Sequence, residues 1–155
     1  SLFDRLSLLG GSLILSTLDK LEKGTLIRTP QEHEKATYVK KIPKTLGEVD
    51  WTMDAVSIER LIRGLNPWPS AYTWLNGKML KLWEGEVIPD DGENGKNREE
   101  KCGVALSASR DGLRIQTGNG ILNITSLQIE GKKRMDTGAF LRGFSVEAGQ
   151  RLGRS

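Results

Sequence analysis

The chain has 155 residues, is 37% hydrophobic and 28% charged, and carries a net charge of +3, the composition of an ordinary soluble globule of one domain or one domain plus an appendage. Its single cysteine, Cys102, excludes an internal disulfide framework and fits a reducing compartment. No apolar stretch approaches the roughly 20 residues needed to span a bilayer, and the start S-L-F-D-R-L lacks the basic region and apolar core of a signal peptide, so a cytosolic, membrane-free protein is expected.

In chain order, Leu2, Leu6, Leu9 and Leu13, continued by Ile14, Leu18 and Leu21, predict a helix of about 20 residues with Gly10 and Gly11 inside it. A helix this apolar needs a partner surface, which is expected upstream of the chain. Residues 24–50 are polar, hold two prolines and show no sustained period, and read as an extended linker. Residues 53–65 predict an amphipathic helix on Val56, Ile58, Leu61, Ile62 and Leu65, N-capped by Thr52 or Asp54 and stopped at Asn66-Pro67.

The turn Asn66, Pro67, Trp68, Pro69 then sets a tryptophan between two prolines. Its expected role is structural, a plug where the helix enters the next layer, with base stacking the lesser alternative. Beyond it the period becomes two. A-Y-T-W-L, Asn76-Gly77 and K-M-L-K-L-W form a hairpin with a type I′ signature. Residues 89–101 are expected as a charged, flexible loop. V-A-L-S-A-S, the Asp111-Gly112 turn, L-R-I-Q-T, the G-N-G turn and I-L-N-I-T-S-L-Q-I add three more strands. A short helix, T-G-A-F-L-R-G-F, comes near the end. The fold class is mainly β: a small OB-like Greek-key barrel with flanking helices, preceded by a helix and an extended linker.

Catalytic groups are scarce. His33 is the only histidine and sits exposed between glutamates; Cys102 has no histidine near it in sequence. One Cys and one His cannot build a zinc site, and G-N-G and D-G are hairpin glycines rather than a phosphate loop. Charge is more telling. Residues 1–100 hold 14 basic and 16 acidic side chains, whereas residues 101–155 hold 9 basic and 4 acidic. Basic clusters stand at Lys40, Lys41 and Lys44 beside Tyr38, at Lys132, Lys133 and Arg134, and at Arg60 and Arg63. Cations in such positions bind phosphates without reading sequence. The competing readings are plain solvation for the lysines and complementing a helix C-terminus for Arg63.

Four blocks in order carry a resemblance: L-F-D-R-L-S-L-L-G-G-S-L-I-L-S-T-L, A-T-Y-V-K-K-I-P-K-T-L-G-E-V-D-W, R-L-I-R-G-L-N-P-W-P-S-A-Y-T with G-K-M-L-K-L-W, and G-N-G-I-L-N-I-T-S-L-Q-I-E-G-K-K-R-M-D-T-G-A-F-L-R-G. Over nearly the whole chain this resembles the methionyl-tRNA formyltransferase family. The resemblance implies that residues 1–23 are the last helix of a missing Rossmann-like catalytic domain, 24–42 a linker, and 43–155 an OB-like tRNA-binding domain. It implies transfer of a formyl group from 10-formyltetrahydrofolate to initiator methionyl-tRNA by the missing domain, with no catalytic residue, metal or cofactor in the chain itself. It assigns tRNA contacts to Lys40, Lys41, Lys44, Lys132, Lys133 and Arg134, to which the basic cluster near the end of the second helix adds Arg63, in a monomer working where bacterial or organellar translation initiates. The chain departs from the pattern at Pro43 and at Cys102-Gly103, and its 89–101 loop is longer and more acidic. Two other readings remain open: the same domain of a sugar-nucleotide or folate formyltransferase, or a free-standing OB-like RNA-binding module.

Overall fold

The computed structural model describes residues 2–88 and 101–154 and divides after Lys40 into two compact units. Most of the acidic 89–101 loop therefore lies outside the described residues. The first unit contains α1 (Leu2–Glu22), in which no residue is buried, and a single 3-10 turn at His33–Lys35. Leu8 and Phe3 are each about four-fifths exposed. Period and hydrophobicity thus specify the helix, while the apolar stripe finds no core in these residues. No helix among the described residues is long and apolar enough to cross a membrane.

The second unit is built on one antiparallel sheet with flanking helices. A 3-10 turn at Lys44–Gly47 leads to Val49 and Trp51, both buried, so the extended stretch expected to run to residue 50 already enters the core. Helix α2 (Ala55–Gly64) follows, burying Ala55, Ile58 and Ile62. Of the two expected N-caps the structure uses Asp54: its carboxylate accepts from the Ser57 backbone N–H at 2.9 Å and from the Ser57 hydroxyl at 2.6 Å. Thr52 instead donates to Asp50.

The strands are β1 (Ala71–Leu75), β2 (Lys78–Ile88), β3 (Ala105–Ser109), β4 (Gly112–Gln116), β5 (Ile121–Ile129) and β6 (Met135–Asp136), followed by α3 (Thr137–Leu141). Asn76 and Gly77 both take positive φ, 50° and 74°, as the type I′ signature requires. The pairing path is β1-β2-β5-β4-β3, with β6 added to β5. Among the described residues no ladder joins the end strands β1 and β3. The tail spans them instead. Ala105 N–H donates to Gln150 O and Leu152 N–H to Gly103 O on the β3 side, and Gly153 N–H donates to Trp74 O on the β1 side. Leu152 is 2% exposed and joins the core of Leu80, Leu82, Ile115, Leu122, Leu127 and Phe140.

One expectation is overturned. Trp68 is 54% exposed and plugs nothing. The buried indole is instead Trp51, before the start of α2, whose Nε1–H donates to the Thr73 hydroxyl at 3.1 Å. The hydrophobic demand at the end of α2 is met by Leu65, so a rigid turn just outside that residue has no cavity to fill.

The caps make acid stability testable. Hydrogen bonds from Ser57 hold the Asp54 carboxyl below its ordinary value of 3.8, and bonds from Thr52 do the same for Asp50. Their stabilisation is full above the unfolded value and is lost as pH falls through the lowered folded one. Asp54→Asn keeps a cap oxygen that does not titrate. Its urea midpoint should fall less than wild type's between about pH 4 and pH 2; parallel falls would contradict the assignment.

Candidate nucleic-acid interface

Alternation in β1 and β2 divides the residues between two faces. Ala71, Thr73, Leu75, Leu80 and Leu82 point into the core, leaving Tyr72, Trp74, Met79, Lys81 and Trp83 on the outer face. The register aligns Tyr72 with Lys81 and Lys81 with Gln128, making one row across three strands. Gln128 is the organiser. Its Oε1 accepts from the Trp83 indole N–H at 3.2 Å, and its Nε2 donates to Lys132 O at 2.7 Å. A single amide therefore fixes an outer tryptophan and the basic loop after β5.

Cations and aromatic rings alternate along this face. The Lys81 ammonium lies 5.9 Å and the Arg134 guanidinium 5.4 Å from the Trp83 ring centroid, close enough for cation–π attraction. Arg134 also donates to the Ser126 hydroxyl and is ion-paired with Glu84. At the other end Arg154 lies 5.2 Å from the Trp74 ring and 2.8 Å from Glu48. Glu48 accepts from the Trp74 indole N–H and the Tyr72 hydroxyl. Burial first, and then the Glu48 charge, push the Tyr72 phenol above its ordinary 10.0, keeping it a proton donor.

Sequence-predicted basic residues fall into three groups. Lys44 lines a groove of about 370 Å³ with Trp68, Tyr72, Met79 and Lys81. An adjoining hollow, sharing Met79 and Lys81, is lined by Gln128 and the Glu130-Gly131 start of the basic loop. Lys44 and the loop carrying Lys132 and Lys133 thus border one continuous surface. Lys41, Lys44, Lys132 and Lys133 are exposed and have no ion-pair partner among the described residues, whereas Arg134 is already tied down. Arg63 turns along its own helix to Glu59 at 3.0 Å, and that carboxylate raises its pKa. Lys40 belongs to the first unit, where it is exposed. Among the turn residues, the Asn66 amide donates to Trp83 O, Pro67 is exposed, and Pro69 and Trp68 line the Lys44 groove.

Lys81, Trp83, Trp74 and Arg154 were missed by the sequence reading. The signal was present in K-M-L-K-L-W: once the leucines are assigned to the core, the lysine and tryptophan between and after them must face out. Fixed cations beside aromatic faces and unpaired lysines suit a phosphate backbone with accessible bases.

Residues 41–145 match the family described as formyl transferase, C-terminal domain. Over 149 residues the chain is 50% identical to the methionyl-tRNA formyltransferase of Agathobacter rectalis, a match covering 96% of this chain and 46% of that protein. It is 46% identical over 153 residues to that of Lachnospira eligens, covering 99% and 48% respectively. With the enzyme of Geobacter sulfurreducens it shares 42% over 155 residues, all of this chain and 46% of the other. The chain spans about half the length of these curated relatives. Among solved structures, HypX from Aquifex aeolicus in complex with tetrahydrofolic acid superposes with a TM-score of 0.58 at 22% identity, over 88% of this chain and 26% of that one. That likeness is one of fold.

Proposed function

Because this chain belongs to the formyl transferase C-terminal domain family, we propose that it is the tRNA-binding C-terminal part of a methionyl-tRNA formyltransferase. The observation that carries the reading is 50% identity across 96% of the chain to a protein of that name. In this reading formyl transfer from 10-formyltetrahydrofolate to the amino group of initiator methionyl-tRNA belongs to the part of the relatives that this chain does not cover. The present chain is non-catalytic and works as a monomer in the cytoplasm or an organelle that initiates translation with formylmethionine.

Its contribution is positioning. Lys41, Lys44, Lys132 and Lys133 meet backbone phosphates. Arg134 stays bound to Glu84 and Ser126 and sets the shape of the loop that presents the two lysines. Holding the RNA in one orientation lowers the entropic part of the barrier without touching the reacting atoms. The exposed apolar stripe of α1 supports a role as the last helix of the catalytic domain, packed there rather than free.

The test is the salt dependence of tRNA binding. Replacing Lys41, Lys44, Lys132 and Lys133 together by alanine should weaken binding and flatten the slope of log K against log salt. The expected change is up to about 0.7–0.9 per lost phosphate contact. An unchanged slope would remove these residues from the interface.

A further inference from the structure

Four tryptophans occur in the chain, and three of them are accounted for. Trp51 is buried with its indole N–H on Thr73; Trp74 and Trp83 donate theirs to Glu48 and Gln128. Trp68 is the exception. It is 54% exposed, and its N–H has no partner among the described residues. An exposed large aromatic in isolation needs no explanation. This one lines a groove whose other walls include Lys44 and Lys81, with no acidic side chain among the lining residues.

We propose that this groove is a binding site for one unpaired nucleotide of an RNA strand, with the base stacked on Trp68 and the adjoining phosphate held by Lys44 and Lys81. The inference rests on the RNA-binding reading above and adds a site to it. The groove's volume, about 370 Å³, is in the range that accepts one small ligand. Its charge is complementary to a phosphate, whereas an apolar peptide would bury two lysines without a counter-charge. Trp68 sits between two prolines in the turn that ends α2. Their rings fix the backbone φ at residues 67 and 69, and Pro69 also restricts the Trp68 backbone, so little backbone freedom is lost on stacking. Stacking on an aromatic face tolerates any base, so the site holds a strand without reading it.

The experiment compares a short single-stranded RNA oligonucleotide with a blunt duplex of the same sequence, using wild type, Trp68→Ala, Trp68→Phe and Lys44→Ala/Lys81→Ala. Trp68→Ala should bind the single strand about tenfold more weakly, within the range of one lost base–aromatic stack, at an unchanged salt slope. Trp68→Phe should restore most of that loss, and duplex binding should not change. The double lysine variant should lower the slope by about 0.7 for the phosphate contact. Because Trp68 is exposed, the two Trp68 variants should keep the wild-type melting temperature.

Equal single-strand affinity for wild type and Trp68→Ala, or no single-strand binding by wild type, overturns the proposal. A concentration-dependent dimer abolished by Trp68→Ala assigns the groove to a second copy and overturns it too. Binding of whole tRNA that survives either result leaves the proposed function standing. Loss of tRNA binding with intact Trp68-dependent oligonucleotide binding has the opposite meaning.

Discussion

Leu152→Ala is expected to destabilise the second unit by about 3 kcal/mol, within the 2–5 kcal/mol typical of a buried leucine truncated to alanine; removal of residues 149–155 should cost more and leave a chain without a cooperative urea transition. The reason is topological. β1 and β3 are the two ends of the pairing path, and the tail joins them. It bonds Gly103 and Ala105 on one side and Trp74 on the other. Leu152 between these bonds is 2% exposed, so the same short segment supplies both edge pairing and core volume.

Without the tail, both edges offer unpaired N–H and C=O groups to other chains, and truncated protein should aggregate. Arg151 adds a bond from its guanidinium to Cys102 O at 2.7 Å. The measurement is equilibrium urea unfolding of the full chain, Leu152→Ala and the truncation. A truncated chain that unfolds cooperatively at the full-length midpoint would show that the tail is an accessory.

The second large effect is expected at Gly118. A Cβ built there would stand 1.9 Å from Thr52 O and 2.7 Å from the Thr52 carbonyl carbon. Both are backbone atoms and cannot swing aside. Gly118 N–H also donates to Trp51 O and Met53 O, so the turn after β4 is clamped to the segment that delivers Trp51 to the core. Gly118→Ala must separate these backbones. It should cost about 3 kcal/mol or more, at or above the upper end of ordinary overpacking.

Gly64→Ala is the control. It lies in α2 with nothing within 4 Å of its Cβ position and should be neutral or stabilise by up to about 1 kcal/mol. Thermal melts of the two variants distinguish the accounts. Similar small shifts in both would mean that the close approach at Gly118 relaxes at little cost.

Wherever a signal is local, the sequence already contained it. The leucine spacing of α1, the cap preceding α2, the Asn76-Gly77 hairpin and the alternation of β2 each depend on neighbours within one or two turns of chain, and each stands where the pattern placed it. The exposure of Lys132 and Lys133 was legible too, because a charged side chain in a loop stays in solvent.

What required distant partners was not legible. Period alone cannot decide which of Trp51 and Trp68 is buried, since both flank α2; the choice follows from Thr73, 22 residues away, which satisfies the Trp51 indole. Nor does G-N-G reveal that its first glycine is needed for contact with Thr52 rather than for its own φ. The outer face needed the β2–β5 register before Lys81, Trp83 and Gln128 could be recognised as neighbours. Sequence by itself determined the two longer helices, the five longer strands, the family resemblance and the sign of the charge. Tertiary structure decided which aromatic rings were left on the surface beside that charge, because burial is settled by long-range packing and hydrogen-bond satisfaction rather than by residue type.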